Sequence, residues 1–125
     1  MHPFKAYMSL HTELNDEDWK KIKPCLTYRI IQEKRIILKP GAICKNLYFL
    51  ENGSIRYFTI KSGDEMTTHL IQPPFLFTSA HSFTQQIPSI EGIQVAEESY
   101  LWVISREDTY KLLEVPSWNS FLSSL

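Results

Sequence analysis

Two textures follow one another along the chain. At the N-terminus the apolar positions Phe4, Tyr7, Met8 and Leu10 recur at loosely helical spacing, and Pro3 suits a first helical turn. Asn15 then stands directly before Asp16, Glu17 and Asp18. An Asn side chain accepts from the free N–H groups of a helix start, and carboxylates there complement the positive end of the helix dipole. The acidic run is therefore read as the start of a second helix, not as a metal or partner site. Trp19 and Ile22 give that helix its inner face and Pro24 stops it.

From Thr27 the pattern becomes β. Tyr28, Ile30 and Ile31 are separated from Ile36, Ile37 and Leu38 by the polar Gln32-Glu33-Lys34-Arg35. Lys39-Pro40-Gly41 predicts a type II turn, because Pro presets φ and Gly supplies the positive one. The apolar runs 47–50 and 55–58 flank Glu51-Asn52-Gly53-Ser54. Asn-Gly between β-prone runs signals a tight hairpin, with Tyr48, Phe49, Tyr57 and Phe58 able to pair across it. Lys61-Ser62-Gly63-Asp64 is a second turn. In the strand expected over 65–71, Met66, Thr68 and Leu70 share one face and Thr67, His69 and Ile71 the other.

Gln72-Pro73-Pro74 ends that strand. Residues 75–91 are hydroxyl-rich and break the β rhythm, with no run long enough to predict a helix. Residues 92–95 and 100–104 read as the last two strands, with Glu97-Glu98-Ser99 as the turn between them. Ser105 is a good N-cap, Asp108 stands at the third helical position, and Pro116 ends that helix. A further helical pattern begins at Ser117. About eight short strands with helices at both ends predict a mainly β domain over 1–125, a jelly roll or a short barrel.

Composition narrows the function classes. Apolar residues make up 43% of the chain and charged residues 22%, the ordinary balance of a soluble globular domain. The net charge of −1 lacks the basic excess on which affinity for nucleic acid depends. No apolar run approaches the roughly 20 residues of a membrane-spanning helix, and the N-terminus lacks the apolar stretch of a signal peptide. A cytoplasmic location is expected, with Cys25 and Cys44 reduced and buried rather than bridged. Lys45 can lower the pKa of the neighbouring Cys44, or that thiol is half-buried and inert. His69 has no histidine two residues away, so the ligand pattern of a cupin-like metal site is missing. His2 and His11 are expected to be solvated. No Gly-rich phosphate loop, Gly-x-Ser-x-Gly or spaced Cys–His pair is present, so no catalytic or metal residues and no enzyme are expected.

Four segments together resemble a known family. They are Lys39-Pro40-Gly41, the 47–50 run, Asn52-Gly53-Ser54-Ile55 and the closing Val103-Ile104-Ser105-Arg106-Glu107-Asp108. Their order and spacing, over about residues 10–122, resemble the cyclic-nucleotide-binding effector domain of Crp/Fnr-type bacterial transcription regulators. The resemblance implies a double-stranded β-helix or β-roll of about eight strands with flanking helices, its core over 10–115. It implies that 116–125 begin a C-terminal helix leading to a dimerisation helix and a DNA-binding domain. Trp118, Phe121 and Leu122 would then be exposed apolar surface awaiting a partner. A homodimer of the full-length protein and DNA contact only through that further domain follow from it; no membrane partner is expected, for want of a spanning apolar run.

The same resemblance implies a phosphate-binding cassette. In the family a short helix follows a Gly-Glu pair, and an Arg-Ser or Arg-Thr pair comes further on. The Glu holds the ribose hydroxyl and the Arg neutralises the cyclic phosphate. Here Phe77-Thr78 stands in the first place and Ser89-Ile90 in the second, and no Arg or Lys lies between Lys61 and Arg106. Arg is a permanently charged, bidentate phosphate partner, and replacing such a buried pair by Ser forfeits roughly 2–5 kcal/mol. Tight binding of cAMP or cGMP is therefore not expected. The effector, if there is one, is nucleotide-like or another small molecule.

The candidate ligand-binding residues are Phe77, Thr78, Ser79, Ser82, Ser89, Thr68 and Arg56. The loop hydroxyls, with Thr84, line a polar pocket or else cap local backbone groups. Phe75 and Phe77 are core or a stacking surface. Arg56 replaces the missing cassette Arg or is an outward strand residue, and Thr68 contacts a ligand or is a satisfied core threonine. Two further function classes stand beside the sensor: a ligand-free interaction or dimerisation module, and a small jelly-roll enzyme.

Overall fold

The computed structural model describes residues 1–125. Helix α1 (Pro3–Ser9) carries Pro in its first turn and α2 (Asp16–Ile22) is capped by Asn15, whose side chain accepts from the Asp18 N–H at 2.8 Å. Pro24 sits in a 3-10 turn, Lys23–Cys25, at the end of α2. His2 is not the solvated residue expected. Its Nδ1 accepts from the Phe4 N–H, and its ring lies 4.9 Å from Trp19 and 4.2 Å from Trp102.

Six strands follow: β1 (Thr27–Ile31), β2 (Ile36–Leu38), β3 (Asn46–Lys61), β4 (Asp64–Ile71), β5 (Phe75–Phe77) and β6 (Gly92–Ser105). All pairings are antiparallel, and the β3–β6 ladder is the spine. In one half of the roll β1 lies on β6 and β5 on β3; in the other β2 lies on β6 and β4 on β3. The chain thus forms the β-roll with flanking helices that was expected.

The hairpin expected at Asn52-Gly53 does not exist. β3 continues through it, and β6 continues through Glu97-Glu98-Ser99. The two supposed turns face each other, and the ladder shifts register between Leu50 and Ile55. Gly53 does take a positive φ, +105°, but uses it for a bulge rather than a reversal. A Cβ there would come within 2.6 Å of Ser99 Cα and 2.7 Å of the Glu98 carbonyl oxygen. The buried Ser99 hydroxyl accepts from the Ser54 N–H at 3.2 Å and donates to the Glu97 carbonyl at 2.7 Å. Two pairs of runs are therefore fused, and with β5 the roll has six strands rather than about eight. The true hairpin turn is Ser62-Gly63, with φ of +54° and +85° and Lys61 opposite Asp64, the tight two-residue loop that needs both residues left-handed.

Successive strand residues face opposite ways. Phe49 faces the helices, its ring 5.1 Å from Phe4 and 5.0 Å from Tyr7, while Tyr48 faces the roll's interior. Helix α4 (Arg106–Lys111) is capped by Ser105, which accepts from the Asp108 N–H at 3.0 Å. After the 3-10 turn Leu112–Glu114 comes α5 (Pro116–Ser123). Trp118 and Phe121 are fully buried around Phe4, and only Leu122 of the expected apolar surface is partly exposed. The reason is a cap from another element. Asp18 of α2 accepts from the Ser117 N–H at 3.1 Å and its hydroxyl at 2.6 Å, pinning the start of α5 to the N-terminal helices. The Ser117 hydroxyl holds the Asp18 carboxyl below its usual range.

Candidate functional site

Residues 75–91, read from sequence as irregular, contain both β5 and a helix, α3 (Ala80–Gln85). β5 forms because Phe75 and Phe77 find partners on β3, at Leu50 and Tyr48. α3 is a short helix held from outside. Ser82 Oγ accepts from the Cys44 N–H at 2.8 Å and donates to the Ile87 carbonyl at 2.6 Å. Gln86 ends the helix in a left-handed conformation, and its amide donates to the carbonyls of Cys44 and Phe83, each at 2.9 Å. The Ser89 N–H donates to the Ala42 carbonyl at 2.8 Å and the Gly41 N–H to that of Ser89 at 2.6 Å. The segment is laced to residues 41–44 at both ends.

The side chains inside it are engaged with one another. Phe77 is buried, stacked on Tyr48 at 5.1 Å and edge-on to Tyr57 at 6.4 Å. The Tyr57 hydroxyl donates to the Thr78 carbonyl at 2.6 Å, and burial, then the Glu91 carboxylate, push its pKa well up. Thr78 Oγ1 donates to the Asn46 carbonyl at 2.8 Å. The Ser79 and Ser89 hydroxyls lie 2.9 Å apart, and Ser79 Oγ also reaches Glu91 Oε2 at 3.3 Å. Ser89 Oγ donates to the Glu91 carbonyl at 2.8 Å and accepts from its N–H at 3.1 Å. Thr84 bonds back to the Ala80 carbonyl at 2.9 Å on the exposed side of α3.

Phe77, Thr78, Ser79, Ser82 and Ser89 therefore come together, while Arg56 and Thr68 lie elsewhere. Arg56 points away from Tyr57, its strand neighbour. Its Nε donates to Gln94 Oε1 at 2.7 Å and its Nη1 to Thr67 Oγ1 at 3.0 Å; it pairs with Glu65 and covers the Phe58 ring at 4.5 Å. Thr68 sits on the exposed β4 where the register with β3 shifts, and its hydroxyl donates to the Tyr57 carbonyl at 3.3 Å.

Sequence reasoning missed Tyr57, Gln86, Glu91 and Arg106. Arg106 opens α4, where a cation opposes the helix dipole. That misfit was the available signal, because its guanidinium serves the other helix. Its Nε donates to the Phe83 carbonyl at 2.8 Å and its Nη2 to that of Thr84 at 3.2 Å, at the C-terminal end of α3. It also lies 4.7 Å over the Tyr110 ring, which stacks on Phe83 at 6.3 Å. The segment thus has a carboxylate within it and its nearest guanidinium turned to helix carbonyls. Chemically it presents bonded hydroxyls and one carboxylate, and no Arg or Lys of its own.

The sequence matches the family model "Cyclic nucleotide-binding domain" over residues 28–115. Comparison with curated proteins found no match. Among solved structures, the catabolite activator protein of Thermus thermophilus superposes with a TM-score of 0.75 at 23% identity, covering 88% of this chain and 52% of that one. This chain thus spans about half that protein's length. The N-terminal domain of a transcriptional regulator from Streptomyces coelicolor gives 0.73 at 17% identity, covering 89% and 79%. The sensor domain of the transcriptional regulator DNR from Pseudomonas aeruginosa gives 0.72 at 15% identity, covering 88% and 75%. These likenesses establish a shared fold.

Proposed function

This chain belongs to the cyclic nucleotide-binding domain family, and on that premise we propose that it is a ligand-sensing regulatory domain of the Crp/Fnr kind that does not bind cAMP or cGMP tightly. One observation carries the second half. The segment that should cradle a cyclic phosphate contains no cation, places Glu91 beside Ser79 and Ser89, and has its buried hydroxyls already bonded. A phosphodiester brought there would lose its hydration and meet a carboxylate. The interior beside it is filled by Tyr48, Phe77 and Tyr57.

Regulation would work by population shift: a ligand moves the domain only as far as it binds one arrangement better than another. Arg106 supplies the link, since it holds the end of α3 while belonging to α4. In a longer regulator, α4 and α5 would pass that change to a dimer interface and, through a separate domain, to DNA. The relatives are regulatory domains rather than enzymes, and no helix of the chain is long and apolar enough to cross a membrane.

Calorimetric titration with cAMP and with cGMP tests the reading: no saturable binding tighter than about 1 mM is expected. A micromolar dissociation constant for either would overturn it. The filled interior favours a second reading, a ligand-free interaction module. A thermal-shift screen of small metabolites separates the two, since a ligand selective for the folded state raises Tm. A saturable shift supports sensing; none across the screen supports the module.

A further inference from the structure

The edge of the roll opposite the cassette is open. β1 and β2 both pair with β6, one in each half, and between them lies a groove of about 620 Å³, a size suited to a small organic ligand. Ile31, Ile37 and Val103 supply apolar wall. Tyr48 also lines it, the ring that stacks on Phe77, so the groove and the cassette are separated by a single aromatic pair. Arg29 and Arg35 line the same groove, and neither forms an ion pair. The one side-chain bond Arg29 makes runs from Nη1 to the adjacent Tyr28 carbonyl at 3.3 Å.

We propose that this groove binds a small carboxylic acid with an apolar body, its carboxylate on Arg29 and Arg35 and its body along the isoleucines towards Tyr48. This rests on the sensing reading and names the ligand class. Guanidinium forks match a carboxylate bidentately. Two guanidiniums with Asp108 on the same groove leave one net positive charge, which suits a monoanion. A dianionic phosphate would face Asp108, and a neutral apolar molecule would leave the cations unused. Both arginines are exposed, so the ion pair would form at the mouth of the groove while the apolar body covers Ile31, Ile37 and Val103. Pressure on Tyr48 reaches Phe77 directly, and from there Thr78 and the cassette.

The test is an NMR titration of the full 125-residue chain, ¹⁵N-labelled, with hexanoate, 3-phenylpropionate and indole-3-acetate, and with inorganic phosphate as the competing anion. Expected are saturable amide shifts centred on 29–37, Tyr48 and Val103 with at least one acid and none with phosphate. Arg29→Gln and Arg35→Gln should each weaken that acid at least about 10-fold while the spectrum stays dispersed, and Lys61→Gln, which removes an exposed cation at the β3–β4 turn, should leave it unchanged. No saturable shift with any acid, shifts centred on 75–91, or equal binding of phosphate would each overturn the groove. None of these would touch the sensing role, which the metabolite screen decides separately.

Discussion

The two edges of the roll are finished in opposite ways. At the cassette edge every polar group near the interior is tied to the chain: Thr78 to Asn46, Ser82 to Cys44 and Ile87, Ser89 to Glu91. At the β1–β2 edge the guanidiniums of Arg29 and Arg35 face a groove with no ionic partner. Buried polar groups left unpaired are costly, so the first edge is built for rigidity. Exposed cations cost little unpaired, so the second stays available. On the proposed reading, the segment that carries the family's ligand chemistry serves here as framework.

Substitutions at the two edges should separate them sharply. Tyr57→Ala removes a buried ring and the hydrogen bond to Thr78, and should cost about 3–5 kcal/mol in a denaturant melt. Ser89→Ala leaves the part-buried Glu91 N–H without its partner and should cost about 1–3 kcal/mol. Arg106→Gln should cost about 1 kcal/mol overall. Its clearer signature is faster amide exchange across α3 with little change in β6. Arg29→Gln should stay within about 0.5 kcal/mol of the parent protein. If Arg29→Gln proves as damaging as Ser89→Ala, the contrast between a framework edge and a free edge is broken.

Local chemistry was legible in the sequence wherever a residue acts on its own neighbours. Asn15, Ser105, Pro3 and the Ser62-Gly63 turn all do what their residue types predict, because caps and tight turns are decided within a few positions. Asn52-Gly53 misled because a positive φ serves a bulge as well as a reversal, and the partner that decides between them, Ser99, bonds the next residue, Ser54, from 45 residues away along the chain. α3 was invisible because its stability comes from Cys44 and Arg106 rather than from its own sequence. The burial of Trp118 and Phe121 hung on Asp18, which the sequence offers only as one more acid in a helix start. The missing cation of the cassette could be read directly; the groove between β1 and β2 could not, since Arg29 and Arg35 stand among ordinary strand and loop residues.

β3 and β6 each run through both halves of the roll, joined at the crease where Ser99 fills the space a side chain at Gly53 would need. Neither half owns a complete set of pairings, so neither can peel away while the other survives. Melting should be all-or-none, and amides on both sides of the crease should exchange only through global unfolding. Whatever binds at one margin of such a body is felt throughout it.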